Sequence, residues 1–95
     1  MGDESVDEWF VYLVQCEGGS LYCGIAKDPA KRFKQHASGK GARYTRIYHA
    51  LALVYQEGPY THGDALRRER VIKALSRPKK FQLVEQLATT PSSKS

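Results

Sequence analysis

The chain predicts a small α+β domain: a three-stranded antiparallel sheet, made of an N-terminal hairpin plus one later strand, flanked by about three helices. Three observations predict it. The stretches 9–16 and 21–25 are dense in aromatic and β-branched residues and are joined by Glu17-Gly18-Gly19-Ser20, the composition of a hairpin. Asp28-Pro29 follows directly and has the chemistry of a helix start, a capping carboxylate before a proline. The apolar run 51–56 then supplies a third strand ahead of two further helical patterns.

In the hairpin, Tyr12 and Tyr22 lie ten residues apart and Arg32 follows after ten more. Directly opposed residues of an antiparallel pair share a face, so both phenols face one site only if paired residue numbers sum to an even value. A loop of three residues (Glu17, Gly18, Gly19) or of five meets that condition, and the two glycines can supply the positive φ of the shorter one. The expectation is an odd loop. In the helix opened by Asp28-Pro29, Phe33 and Ala37 fall on the core side, Arg32 and His36 stack one turn apart on an edge, and Gly39 ends it. Phenols, guanidinium and imidazole can then converge.

Gly39 to Arg46 reads as a glycine-punctuated basic loop with one aromatic, Tyr44, suited to lie along a phosphate backbone. The strand at 51–56 is expected to be the buried one, because its run is nearly continuous in apolar residues. Thr61 with Asp64 three residues later resembles a capping box and introduces a helix to about Leu75. Within it Glu69 falls between Ala65, Leu66 and Ile72 on the apolar arc, as does Arg68. A carboxylate there is either paired with a cation, such as a nearby arginine, or holding a metal. Pro78 starts a last short helix carrying Phe81, Val84, Leu87 and Ala88 towards the core.

Ninety-five residues with 41% hydrophobic content support one core. The expected division is an acidic extension over 1–8, a domain over 9–88 and a disordered polar tail over 89–95. No apolar run reaches the roughly 20 residues of a membrane helix, and the first residues lack a secretory pattern, so a cytoplasmic location is expected. Cys16 and Cys23 show no zinc spacing and are expected to stay reduced. Four acids crowd the first eight residues; from Trp9 onward 15 basic residues face six acids. Lys27, Lys31, Arg32, Lys34, Lys40, Arg43 and Arg46 form one basic group and the stretch 67–80 another, a field that favours a polyanion. Lys27, Lys31, Lys34, Lys40, Arg43, Tyr44 and Arg46 are therefore the expected nucleic-acid contacts.

The order Val11-Tyr12-Leu13, Tyr22-Cys23-Gly24, Arg32, His36, Glu69 resembles the GIY-YIG nuclease domain, over about residues 9–87 and closest to its small stand-alone bacterial members. The family fold is a three-stranded antiparallel sheet with flanking helices, and its activity is metal-dependent cleavage of a DNA phosphodiester. Members include homing and restriction endonucleases, the incision module of excision repair and junction nucleases. The resemblance implies that Tyr12 and Tyr22 are the motif tyrosines, Arg32 the helix arginine, His36 the histidine of a subset of members, and Glu69 the metal-binding glutamate. The triplets change only their hydrophobic filler. Excision-repair members carry lysine after the motif glycine where this chain has Ile25, with Lys27 two positions on, and the asparagine found after the glutamate in many members is missing.

The implied chemistry is in-line attack by water, with Tyr12 as base, Tyr22 sharing or taking that role, Arg32 forked on the phosphate and His36 shuttling a proton or holding a tyrosine. One Mg²⁺ or Mn²⁺ at Glu69, bound with substrate, is the implied cofactor. Two other readings compete with an endonuclease. One is a non-catalytic nucleic-acid-binding module on the same fold, or one needing a partner protein for activity. The other is an interaction domain without a nucleic-acid role, which leaves both basic groups unexplained.

Overall fold

A computed structural model describes residues 8–93, leaving aside the side chains at 46 and 87–93. Apart from Glu8, the acidic extension lies outside the described residues. Strands β1 (Trp9–Cys16), β2 (Leu21–Ala26) and β3 (Ala50–Tyr60) form one antiparallel sheet in the order β2-β1-β3. Helices α1 (Pro29–Ala37), α2 (Arg43–Ile47), α3 (His62–Lys73) and α4 (Arg77–Ser93) complete the α+β fold.

The hairpin pairs Tyr12 with Gly24 and Val14 with Tyr22. The Cys16 amide donates to the Ser20 carbonyl at 2.9 Å, so the three residues Glu17 to Gly19 make the turn. Gly18 and Gly19 take φ of 87° and 85°, which a side chain would resist. The odd loop therefore holds, and both phenols share a face. Cys16 and Cys23, both free and buried, pack in separate core clusters on opposite faces, which rules out a bond between them.

The buried strand is the central one, β1, and not β3 as its apolar run suggested. Hydrogen-bonded on both sides and covered on both faces, β1 buries Val11, Tyr12, Leu13, Val14 and Cys16, whereas the edge strand β3 leaves Leu51 55% exposed. Against one face, Ala65 and Ile72 of α3 pack on Val11, Leu13, Leu21 and Cys23, with Phe81 and Val84 of α4 beside them. Against the other, Phe33 of α1 packs on Tyr12, Val14, Cys16 and Ala26.

Asp28 caps α1 by accepting from the Lys31 amide at 3.1 Å, with Pro29 at the first turn. The core stripe of that helix is Pro29, Phe33 and His36; Ala37, expected inside, is exposed, and His36, expected on an edge, is 1% exposed. A step of three after a step of four keeps His36 on the buried side. The segment read as a basic loop is a turn followed by the short helix α2. Thr61 caps α3 by accepting from the Asp64 amide at 3.1 Å, while the Asp64 carboxylate itself pairs with Arg67. Arg68 is taken up by Glu57, a carboxylate that also accepts from the hydroxyls of Tyr55 and Tyr60. That satisfied cluster leaves Glu69 as the acid of α3 still to be explained. The last helix, expected to be short, continues to Ser93 through part of the stretch read as a tail; no glycine follows Pro78 to stop it.

Candidate active site

Burying an imidazole requires partners for both ring nitrogens, and His36 has them. Its Nε2 lies 2.9 Å from the Tyr12 hydroxyl and its Nδ1 2.7 Å from Thr45 Oγ1. Thr45, itself 1% exposed, donates its one hydroxyl proton to the Ala42 carbonyl at 2.9 Å. Burial, reinforced by Arg32, lowers the His36 pKa, so the ring is neutral near pH 7. Burial likewise pushes the Tyr12 phenol up to about 12; Tyr22 adds to the rise and Arg32, beside the hydroxyl, opposes it.

Two glycines make room for this pair. A Cβ at Gly24 would come within 2.7 Å of the Tyr12 hydroxyl oxygen, so the phenol lies directly over the backbone of β2. A Cβ at Gly41 would overlap His36 Nδ1 and come 2.8 Å from its Cα. The last glycine of the second triplet and the second glycine of the basic segment are thus spacers for the site.

Tyr22 stands on the edge strand β2, where side chains from both sheet faces can meet. Its ring centroid is 6.4 Å from Tyr12, 5.1 Å from His36 and 5.7 Å from Tyr44. Burial raises its pKa first; Lys73 and Arg32 oppose the rise and Glu69 adds to it, so α1 on one side and α3 on the other both bear on this phenol. Arg32 donates to Gln35 Oε1 at 2.6 Å and lines an open cavity of about 270 Å³ with Lys27, Asp28 and Lys31. Tyr12, Tyr22, Arg32 and His36 are therefore drawn together, with Glu69 at the margin.

Glu69 is 19% exposed and its Oε2 is 3.2 Å from Lys73 Nζ, so its cation in this conformation is a lysine and not an arginine. Among the described residues no group of three His, Cys, Asp or Glu forms a metal cage. A single part-buried carboxylate near the Tyr22 phenol suits a hard ion that takes its other ligands from water and a phosphate.

Lys27, Lys31, Lys34, Lys40 and Arg43 are exposed, as phosphate contacts require. Lys27 also lies over the Trp9 ring, 5.5 Å from its centroid. The side chain of Arg46 lies outside those described. Tyr44 is 36% exposed and its ring packs at a tilt against that of Tyr48, itself 48% exposed, with 4.9 Å between centroids, so a row of rings leads from Tyr22 to the surface. Thr45, Gly41, Tyr48 and Lys73 were not legible as site residues. Thr45 and Gly41 act through contacts with His36 that no periodicity encodes; Tyr48, four residues after Tyr44 at helical spacing, left the clearest trace.

A basic α+β domain with paired tyrosines, a helix arginine and a buried histidine on one sheet face defines a class. The chain matches the GIY-YIG catalytic domain over residues 8–82 and belongs to that family, whose members are generally endonucleases acting on nucleic acid. It is 58% identical over 76 residues to a UPF0213 protein of Pseudomonas aeruginosa, covering 80% of this chain and 73% of that one. A UPF0213 protein of Staphylococcus saprophyticus is 47% identical over 81 residues, 85% and 99% of the two chains. The solution structure of a UPF0213 protein from Bacillus halodurans is 44% identical, with a TM-score of 0.51 over 81% of this chain and 82% of that one. Among the described residues no helix is long and apolar enough to cross a membrane.

The neutral buried histidine makes stability depend on acid. Its folded pKa lies below the ordinary 6.5, so as pH falls the unfolded chain takes up the proton first. The contribution is fully present above pH 6.5 and is lost as the pH falls from there towards the folded value. Urea midpoints measured from pH 7.5 down to 5 should fall, and His36→Gln should flatten that decline.

Proposed function

We propose that the protein is a cytoplasmic endonuclease that hydrolyses DNA phosphodiesters with one Mg²⁺ or Mn²⁺, acting on branched or damaged DNA in repair or recombination. The observation that carries this reading is the buried Tyr12 to His36 hydrogen bond beside Arg32. A phenol with a pKa of about 12 is protonated at neutral pH, so it can serve as base only by passing its own proton on. Neutral His36 at 2.9 Å is placed to receive it as the Tyr12 oxygen takes the proton of the attacking water. Tyr12 is preferred to Tyr22 because its hydroxyl is the one bonded to His36.

Arg32 binds non-bridging phosphate oxygens with its planar fork and meets the charge that builds there. Tyr12 is 1% exposed and Arg32 lies beside its hydroxyl, so a phosphate held by Arg32 is brought next to the buried phenol. Glu69 would hold the divalent ion, which when bound supplies Lewis acidity at the leaving oxygen. Lys27, Lys31, Lys34, Lys40, Arg43 and Arg46 seat the backbone, and Tyr44 with Tyr48 offers ring faces to exposed bases.

A second reading is a binding module on this fold, or one that a partner protein must activate. It is favoured by the closed state of the site, with Tyr12 sealed and Glu69 tied to Lys73. Branched, flapped and linear DNA incubated with Mg²⁺ or Mn²⁺ separates the two. Cleavage that disappears in Glu69→Ala while salt-sensitive binding persists is the expected result. Binding without cleavage by the native chain selects the second reading, and no affinity for DNA or RNA at low salt removes both.

A further inference from the structure

We propose that Thr45 is a positioning residue that holds His36 in the tautomer with the proton on Nδ1, leaving the Nε2 lone pair to accept from Tyr12. This rests on the proposed role of the Tyr12 and His36 pair. Thr45 has a single hydroxyl proton, and the Ala42 carbonyl, which can only accept, takes it at 2.9 Å. At 2.7 Å from His36 Nδ1, the Thr45 oxygen must then accept, so Nδ1 carries the hydrogen. Nε2 is left as a bare acceptor facing the Tyr12 hydroxyl at 2.9 Å. The chain of donors runs in one direction, from phenol to imidazole to threonine to backbone carbonyl.

One contact points the other way. The Ala42 amide lies 3.4 Å from Nδ1 and would favour a lone pair there. The Thr45 contact is 0.7 Å shorter and fixes the ring, because hydrogen bonds weaken steeply beyond the usual range. The same Ala42 amide makes the consequence of losing Thr45 specific. With no hydroxyl, Nδ1 faces only a donor, so the ring turns over to the Nε2–H tautomer and can no longer take the phenol proton. The arrangement assigns Thr45 a task that a wholly structural threonine would not have.

The test is long-range ¹H–¹⁵N correlation of the histidine rings in the full chain, with His36 assigned by comparison with His49→Asn and His62→Asn. The native protein should show Nδ1–H at His36, Thr45→Val should show Nε2–H, and Thr45→Ser should keep the native pattern. In cleavage assays Thr45→Val should lower kcat by about 10²-fold or more at little-changed KM, with Thr45→Ser restoring it. Nε2–H in the native protein overturns the proposal without any variant being needed, and so does an unchanged tautomer in folded Thr45→Val. If the tautomer switches as expected but the native chain cleaves nothing, the nuclease reading fails and the role of Thr45 in holding His36 stands.

Discussion

Tyr12→Phe should lower kcat for DNA cleavage by about 10²- to 10⁴-fold, the range for loss of a general base, while KM changes little. The ring, its packing on Val14 and its place over Gly24 all survive; only the hydroxyl is lost. That hydroxyl is also the partner of buried His36 Nε2, so the variant leaves a buried acceptor unsatisfied at a cost of about 1–3 kcal/mol. For a domain of this size each kcal/mol lowers the melting temperature by roughly 4–8 °C. Rates must therefore be compared well below the transition, with folding checked by circular dichroism. Retention of native kcat in Tyr12→Phe would transfer the role of base to Tyr22. Loss in both phenol variants, with binding intact, would mean that the two rings act as one unit around the phosphate.

Gly41→Ala should disable the site from outside it. The new methyl would overlap the imidazole of His36 and press on its Cα, and α1 must shift to relieve this. Overpacking of this kind typically costs about 1–3 kcal/mol. The larger effect is geometric: displacing His36 breaks its bonds to Tyr12 and Thr45 together, so kcat should fall as far as in a direct His36 variant. Gly63→Ala is the control, because a Cβ there meets nothing within 4 Å. It sits in α3, where alanine is worth up to about 1 kcal/mol over glycine, so activity should hold and stability should rise slightly. Equal behaviour of the two glycine variants would show that Gly41 is not a spacer for His36.

Local chemistry made most of the frame legible. The Gly18-Gly19 turn set an even register, and with it the shared face of Tyr12 and Tyr22. Asp28-Pro29 and Thr61 marked helix starts that the structure places at those residues, because caps act within a single turn. The apolar run at 51–56 marked a strand correctly and its burial wrongly. Hydrophobicity reports that a segment is covered somewhere, and only strand order shows that β1 lies between β2 and β3. In α1, periodicity found the stripe through Phe33 and chose Ala37 over His36, since apolarity is a poor guide to a polar ring whose partners arrive from other elements.

By itself, the order of residues determined the α+β class, the hairpin register, the basic character of the stretch after it and membership of the GIY-YIG motif, all properties carried by neighbours in the chain. Tertiary structure alone decided that the imidazole is buried between a phenol 24 residues before it and a hydroxyl nine residues after it. It also decided that Arg68 spends itself on Glu57 while Glu69 is left to Lys73 at the site's margin. The physical reason is range: turns and caps are settled within a few residues. The state of a buried titratable group, by contrast, is set by whichever distant donors and charges the packing brings within a few ångströms.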